Sequence, residues 1–208
     1  MKLLVHVCCA PCFCFTDKRL REQGHEVTGF WYNPNIHPAA EYNLRLDALR
    51  KYSALKGAPV VFRGGNLPED IERWARAAFA GETRAVPQSI HVPFGTGFGA
   101  SEGSTRTFRL PTSDGPRCAG CYKMRLREAA LYAKENKFDA FTTTLLYSIY
   151  QKHDLARAVG ERIAAEIGIP FYYEDFRTGW REGIVISKDL GLYRQKYCGC
   201  FVSEREIG

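Results

Sequence analysis

No stretch of this 208-residue chain approaches the roughly 20 apolar residues that a membrane-spanning helix requires. Ahead of the first cysteines stands only Leu3-Leu4-Val5-His6-Val7, too short for a secretory h-region followed by a cleavage site. A cytoplasmic location with no membrane partner is therefore expected. There thiols stay reduced, and a cysteine pattern reports metal or redox chemistry more often than disulfides. Internal repeats and low-complexity tracts are also missing, which excludes solenoids and disordered arrays. The turn after the first apolar run carries no Gly-x-Gly-x-x-Gly, and the chain has no Ser-Gly-Gly phosphate loop of the ATP-pyrophosphatase type. Without glycine in that turn a phosphate cannot come close to the backbone, so nucleotide binding there loses ground to metal binding.

Cysteine is what the chain has instead. Its eight cysteines form three separated clusters: Cys8-Cys9-Ala10-Pro11-Cys12-Phe13-Cys14, Cys118-Ala119-Gly120-Cys121 and Cys198-Gly199-Cys200. A net charge of +6 is compatible with a polyanionic partner without requiring one. Arg106, Arg109, Arg117, Lys123, Arg125 and Arg127 surround the Cys118/Cys121 pair against a single acid, Asp114. This patch reads either as a solvated helix face with its loop or as a nucleic-acid contact.

Periodicity alternates between strand and helix. Strand-like runs cover residues 2–7, 27–32, 58–62, 140–144 and 171–173. Helical runs cover 13–23, a stretch from Pro38 at the first helical position to Gly57, 68–79, 121–135, a stretch marked by Leu155, Val159 and Ile163, and 183–190. Between residues 81 and 116 periodicity gives way to Gly95, Gly97, Gly99, Gly103 and Gly115 among Ser, Thr and Pro, which reads as a lid or insertion. The prediction is a single α/β domain over 1–208: a Rossmann-like, doubly wound parallel sheet of about five strands in a three-layer α/β/α arrangement.

Ligands in such a fold collect beyond the carboxyl ends of the strands, at the switch point, and Cys8 and Cys9 stand at the end of the first strand. Cys118-x-x-Cys121, read as the start of a helix, is a chelating spacing whose thiol pKa values the helix dipole would lower. The glycine of Cys198-Gly199-Cys200 lets the backbone fold closely around a ligand. Together these exceed the four thiolates that one zinc or one iron–sulfur cluster takes. The surplus suits a second metal or redox-active cysteines, or else spare buried thiols beside a four-cysteine zinc site. Asn33 and Asn35 are turn-formers or site groups, and Thr142-Thr143-Thr144 are strand-formers or site groups. His6 reads as a core histidine, and His37 is the better candidate for proton transfer. Tyr193-Arg194-Gln195-Lys196-Tyr197 could stack on a base and contact phosphate, or could simply pack.

Several motifs in order resemble the QueH family of epoxyqueuosine reductases. They are His6-Val7-Cys8-Cys9-Ala10-Pro11-Cys12, Tyr32-Asn33-Pro34-Asn35-Ile36 with Pro38 and Glu41-Tyr42, Arg117-Cys118 with Cys121, and Phe141-Thr142-Thr143-Thr144-Leu145. Gly191-Leu192-Tyr193-Arg194-Gln195 and Tyr197-Cys198-Gly199-Cys200 complete the set. The resemblance implies a domain related to adenine nucleotide α-hydrolase folds, with a [4Fe–4S] cluster and an adjacent mononuclear iron. It implies the last step of queuosine synthesis: two electrons and two protons remove the epoxide oxygen at the wobble base of a tRNA anticodon, without cobalamin. By position, Cys8, Cys9, Cys118, Cys121, Cys198 and Cys200 match the family's cysteines. Cys12 falls where some members carry Asp, a further metal-ligand candidate, and Cys14 falls outside the motif. The preferred assignment gives the cluster Cys118, Cys121 and two thiols from the other pairs, leaving the rest for the iron. The segment 81–116 is longer than the family leads one to expect.

On this reading an iron polarises the epoxide oxygen, an external electron donor feeds the cluster, and His37 or Tyr197 protonates the departing oxygen. Asn33, His37 and Tyr197 are the candidate catalytic groups, and Asn35, Thr143, Arg194 and Arg125 the candidate substrate contacts on the anticodon stem-loop. The competing readings are a tRNA-binding protein with structural zinc and an iron–sulfur electron carrier.

Overall fold

A computed structural model describes residues 1–64, 68–78, 89–93, 105–109, 114–200 and 203. Its order is β1 (Lys2–His6), α1 (Ala10–Glu22), β2 (Glu26–Trp31), α2 (Ala39–Lys56), β3 (Val60–Phe62), α3 (Pro68–Ala78), β4 (Ser89–Pro93), β5 (Thr105–Arg109), α4 (Asp114–Glu135), β6 (Ala140–Thr143), α5 (His153–Ile167) and α6 (Trp180–Asp189). The main sheet is parallel with strand order β3-β2-β1-β6. Buried on both faces, its central strand reads as a continuous apolar run, and Leu3, Leu4, Val5 and His6 are fully enclosed. Helix α1 packs with α2 and α6, while α4 packs with α3 and α5. The chain first winds from β1 to β2 and β3, then returns to β6 on the other side of β1. That reversal opens a crevice at the carboxyl ends of β1 and β6.

The sheet has four strands rather than five. The run at 171–173 supplies only a single parallel bridge, Phe141 to Phe171. Phe141 N–H donates to Pro170 O at 3.0 Å and accepts through its carbonyl from Tyr172 N–H at 2.8 Å. Pro170 has no N–H with which to extend the ladder.

Three helices start earlier than their periodicity indicated, α1 at Ala10 rather than residue 13. Helix α4 begins at Asp114 rather than Cys121, because Pro116 lies in its first turn, where a missing N–H costs no hydrogen bond. Cys118 and Cys121 therefore sit on the second turn, not at the helix N-terminus. Helix α6 begins at Trp180, with Gly183 inside it. Gly183 is there for space: a Cβ would meet the Tyr147 hydroxyl and Phe15. Of the expected lid, residues 89–93 and 105–109 form a two-stranded antiparallel sheet, and 114–116 belong to α4. The remainder of that segment lies outside the described residues.

Candidate metal centre and its cavity

Strand β1 ends at His6 and delivers Cys8 and Cys9 directly into the crevice. Cys9 is the N-cap of α1, and its sulfur accepts from Cys12 N–H at 3.4 Å. One turn of helix thus returns Cys12 beneath Cys9. Their sulfurs are 2.6 Å apart, and those of Cys8 and Cys9 are 3.8 Å apart. All three sulfurs lie within 4.8 Å of one another. Tetrahedral thiolates at about 2.3 Å from one ion stand about 3.8 Å apart, which is the Cys8–Cys9 separation; Cys9 and Cys12 would part by about 1 Å to share that ion.

Neighbours supply the supporting hydrogen bonds that metal sites need. Thr144, just past β6, spans the crevice: its hydroxyl donates to Cys8 Sγ at 3.1 Å and accepts from Cys8 N–H at 3.0 Å. Gln195 Nε2 donates to Cys9 Sγ at 2.8 Å. Hydrogen bonds from Cys12 and Cys9 hold the Cys8 thiol well below its ordinary pKa, with the Arg125 charge adding to the effect. Cys9 is pushed up by burial, and Cys12 by its bonds to Cys8 and Cys9.

Cys121 and Cys198 lie within electrostatic reach of Arg125, but among the described residues only Cys8, Cys9 and Cys12 converge as a three-thiol group. Cys118 and Cys121, three apart on α4, share a helix face, and burial pushes both thiols up, reversing the lowering expected from a helix N-terminus. Cys198 is lowered to about 6, first by a hydrogen bond from Cys200 and then by the Arg125 charge. Arg125 is 1% exposed. It donates to Asn33 Oδ1 at 2.7 Å and lies 3.9 Å from Cys121 Sγ. The guanidinium thus serves Cys8 as well as Cys121 and Cys198, offsetting negative charge on each.

A cavity of about 690 Å³ opens above them, lined by Cys8, Cys12, Cys198, Arg45, Arg125, Trp180, Arg194, Lys196 and Tyr197 among others. Thus three of the metal-ligand candidates, both arginine substrate candidates and Tyr197 meet in one place. The others sit elsewhere. Thr143 is fully buried, its hydroxyl engaged with His6 Nδ1 at 2.9 Å and Leu145 N–H at 3.1 Å. Asn33 is also buried and donates to Val7 O at 2.9 Å, tying the end of β1 to Arg125. Asn35 is buried and does not line the cavity. His37 packs against Trp74 with ring centroids 5.5 Å apart, and its carbonyl accepts from Tyr197 Oη at 2.6 Å. Burial pushes His37 down to about 4, so it is neutral at neutral pH.

That burial has a thermodynamic signature. The unfolded chain takes up a proton at His37 near the ordinary value of 6.5, and the folded chain only near 4. Its contribution to stability is therefore complete above pH 6.5 and is lost as pH falls from there toward 4, by up to about 3 kcal/mol. Denaturation followed between pH 7 and pH 4 is expected to steepen in the native chain relative to His37→Gln. Equal slopes would contradict a buried neutral imidazole.

The basic patch around Cys118 does not form one surface. A helix turns about 100° per residue, which scatters its cations. Arg117 and Arg125 are buried, while Lys123 and Arg127 face Glu166 on α5 at 4.0 and 3.5 Å. The side chains of Arg106 and Arg109 lie outside the described residues. Cys14 faces away from the site, on a separate cavity beside Asp17 and Tyr52, and burial pushes its thiol up to about 12.

Residues 3–86 and 102–206 match the family model described as epoxyqueuosine reductase QueH. The chain belongs to the QueH family. The epoxyqueuosine reductase QueH of Dehalococcoides mccartyi is 35% identical over 207 residues, spanning 99% of this chain and 93% of its own length. Those of Thermotoga maritima and Histophilus somni are each 30% identical, spanning 97% and 99% of this chain and 89% and 73% of their own lengths. Among solved structures, the zinc-inhibited form of teicoplanin deacetylase Orf2 superposes with a TM-score of 0.43 at 12% identity, over 82% of this chain and 66% of that one, too loose a likeness to inform the chemistry.

In this QueH member the sequence motifs contain Thr144 and Gln195 without showing their partners, and they omit Gln151 and Arg45. Thr144, Gln195, Gln151 and the Glu41–Arg45 pair each touch a cysteine or its segment. Glu41 and Arg45, at i,i+4 spacing, leave the local trace of a helical ion pair.

Proposed function

We propose that the chain reduces epoxyqueuosine in tRNA to queuosine, consuming two electrons and two protons and releasing the epoxide oxygen as water. Membership of the QueH family supports the reaction. The observation that carries the site is the three-thiol group beneath a cation-lined cavity, whose wall Cys8 and Cys12 reach and Cys9 does not. Cys8, Cys9 and Cys12 would hold the single iron, and Cys118, Cys121, Cys198 and Cys200 the [4Fe–4S] cluster. When bound, the cluster supplies electrons one at a time from an external donor, and the iron supplies Lewis acidity toward the epoxide oxygen. A tRNA substrate implies a cytoplasmic enzyme, and no helix among the described residues is long and apolar enough to cross a membrane.

The chain's own part is binding and proton delivery. Arg194 and Arg125 line the cavity with positive charge that favours oxygen-rich substrate groups. Of the two candidate acids Tyr197 lines the cavity and His37 does not. The donor is therefore assigned to Tyr197, whose hydroxyl leaves the His37 carbonyl to reach the departing oxygen. Tyr197→Phe is expected to lower kcat by about 10²–10⁴-fold, the usual share of a general acid, with iron content unchanged. An unaltered kcat would move the proton source elsewhere.

The decisive experiment is anaerobic turnover of epoxyqueuosine-containing tRNA with a chemical reductant, followed by mass spectrometry of the released nucleosides. Queuosine should accumulate in proportion to iron-loaded enzyme. A full complement of iron without product would sink the reading, and a colourless protein loaded with zinc would favour a structural metal site.

A further inference from the structure

The cavity wall combines two kinds of side chain that the reaction itself does not require. Four cations, Arg45, Arg125, Arg194 and Lys196, line it without a single carboxylate. The two deeper ones are committed within the protein, Arg45 to Glu41 and Arg125 to Asn33. Arg194 and Lys196 are exposed and form no ion pair among the described residues. Beside them the wall carries Trp180 and Tyr150. Tyr147, 2% exposed, supports the Trp180 ring at 5.2 Å and donates its hydroxyl to Trp180 O at 3.0 Å. Tyr150 stands edge-on to Trp180 at 5.6 Å and is 80% exposed. The result is an aromatic step, anchored from below and open to solvent above, flanked by two uncommitted cations.

We propose that Trp180 and Tyr150 are the stacking platform for the unpaired nucleotides flanking the target base, with Arg194 and Lys196 on their phosphates. This rests on the reading that the target lies in a tRNA loop. Rings that accept bases by stacking, together with cations that accept phosphates, are the two elements of single-strand recognition. A folded acidic protein would match the cations but would leave the recessed Trp180 face unfilled. The platform also shares its cavity with Cys8 and Cys198, so its occupant and the reacting group belong to one ligand.

The test uses an anticodon stem-loop with unmodified guanine at the target position, so that binding is read without turnover. Tyr150→Ala should weaken binding about tenfold, and Tyr150→Phe should restore it. Replacing the flanking nucleotides with abasic residues should weaken binding to the native chain and erase the difference from Tyr150→Ala. Arg194→Gln and Lys196→Gln should each lower the salt dependence by about one phosphate contact. Equal losses for Tyr150→Ala on intact and abasic loops would overturn the platform. So would a Tyr150→Ala defect confined to turnover with a protein reductant, which would assign the surface to the electron donor. Native-strength stem-loop binding without epoxide reduction would instead remove the proposed reaction and leave the platform standing.

Discussion

Cys9→Ser is expected to abolish the proposed single-metal site while leaving the fold intact. Cys9 has two roles that serine separates. Its sulfur caps α1 by accepting from Cys12 N–H, and a serine oxygen caps a helix at least as well. It also stands between Cys8 at 3.8 Å and Cys12 at 2.6 Å, and receives Gln195 at 2.8 Å. There a hard, poorly acidic hydroxyl cannot replace a soft thiolate ligand. Removing groups that merely support a ligand costs metal sites about 10–100-fold, so loss of the ligand itself should lower epoxide reduction by more than about 100-fold. Circular dichroism should remain native while iron per chain falls. Full activity in the serine variant would remove Cys9 from the site, and loss of iron together with loss of structure would assign it to the fold. Cys198→Ser is expected to affect the cluster rather than the single iron.

The second large effect is expected at Arg45. The segment carrying Cys198 and Cys200 contains no regular strand or helix up to Cys200, yet it has to present its thiols accurately. Arg45 on α2 holds it in place, donating to Cys198 O and Tyr197 O at 3.0 Å each while its Nε reaches Glu41 at 2.7 Å. Both partners are buried, Arg45 at 2% and Glu41 at 6% exposure. Tyr193 donates to the other oxygen of Glu41, and His37 N–H donates to Gly199 O at 2.7 Å. Arg45→Met leaves a buried carboxylate without its cation, at a cost of about 3–5 kcal/mol, and releases two carbonyls of the segment. Urea denaturation of Arg45→Met should show that loss. The double variant Arg45→Met, Glu41→Gln should recover most of the stability without recovering full cluster content, because the segment remains untethered. Full recovery of both would limit Arg45 to a structural ion pair.

Elements with strong local periodicity were legible. Strands β1, β2, β3 and β6 and helices α1 to α5 each cover most of the residues that their patterns indicated. The starts of α4 and α6 were harder to read. Gly115 and Pro116 belong by composition to the 81–116 loop but fit the first turn of α4, and Gly183, which reads as the start of α6, makes room inside it for Tyr147 and Phe15. A glycine required by a distant side chain looks locally like one required by a turn. The same limit governs the site. Thr143 and Asn33 stand in motifs beside the crevice, but their polar atoms are taken up by His6, Leu145, Val7 and Arg125. Gln195 stands in a motif, but nothing local shows that it reaches Cys9 across a separation of 186 residues.

By itself, the sequence determined the kind of chemistry and the kind of fold. Thiols at chelating spacings point to metal or redox chemistry, and alternating strand and helix periods lead to a parallel sheet with its ligands at the strand ends. Only the tertiary structure decided which thiols lie together. Cys8, Cys9 and Cys12 converge because one turn of α1 folds back on the end of β1. Cys118 and Cys121 come into electrostatic contact with Cys198 because α4 and the segment held by Arg45 meet over the same crevice. Periodicity reports neighbours within about one helical turn, whereas a metal centre is made of groups brought together by packing across the whole chain.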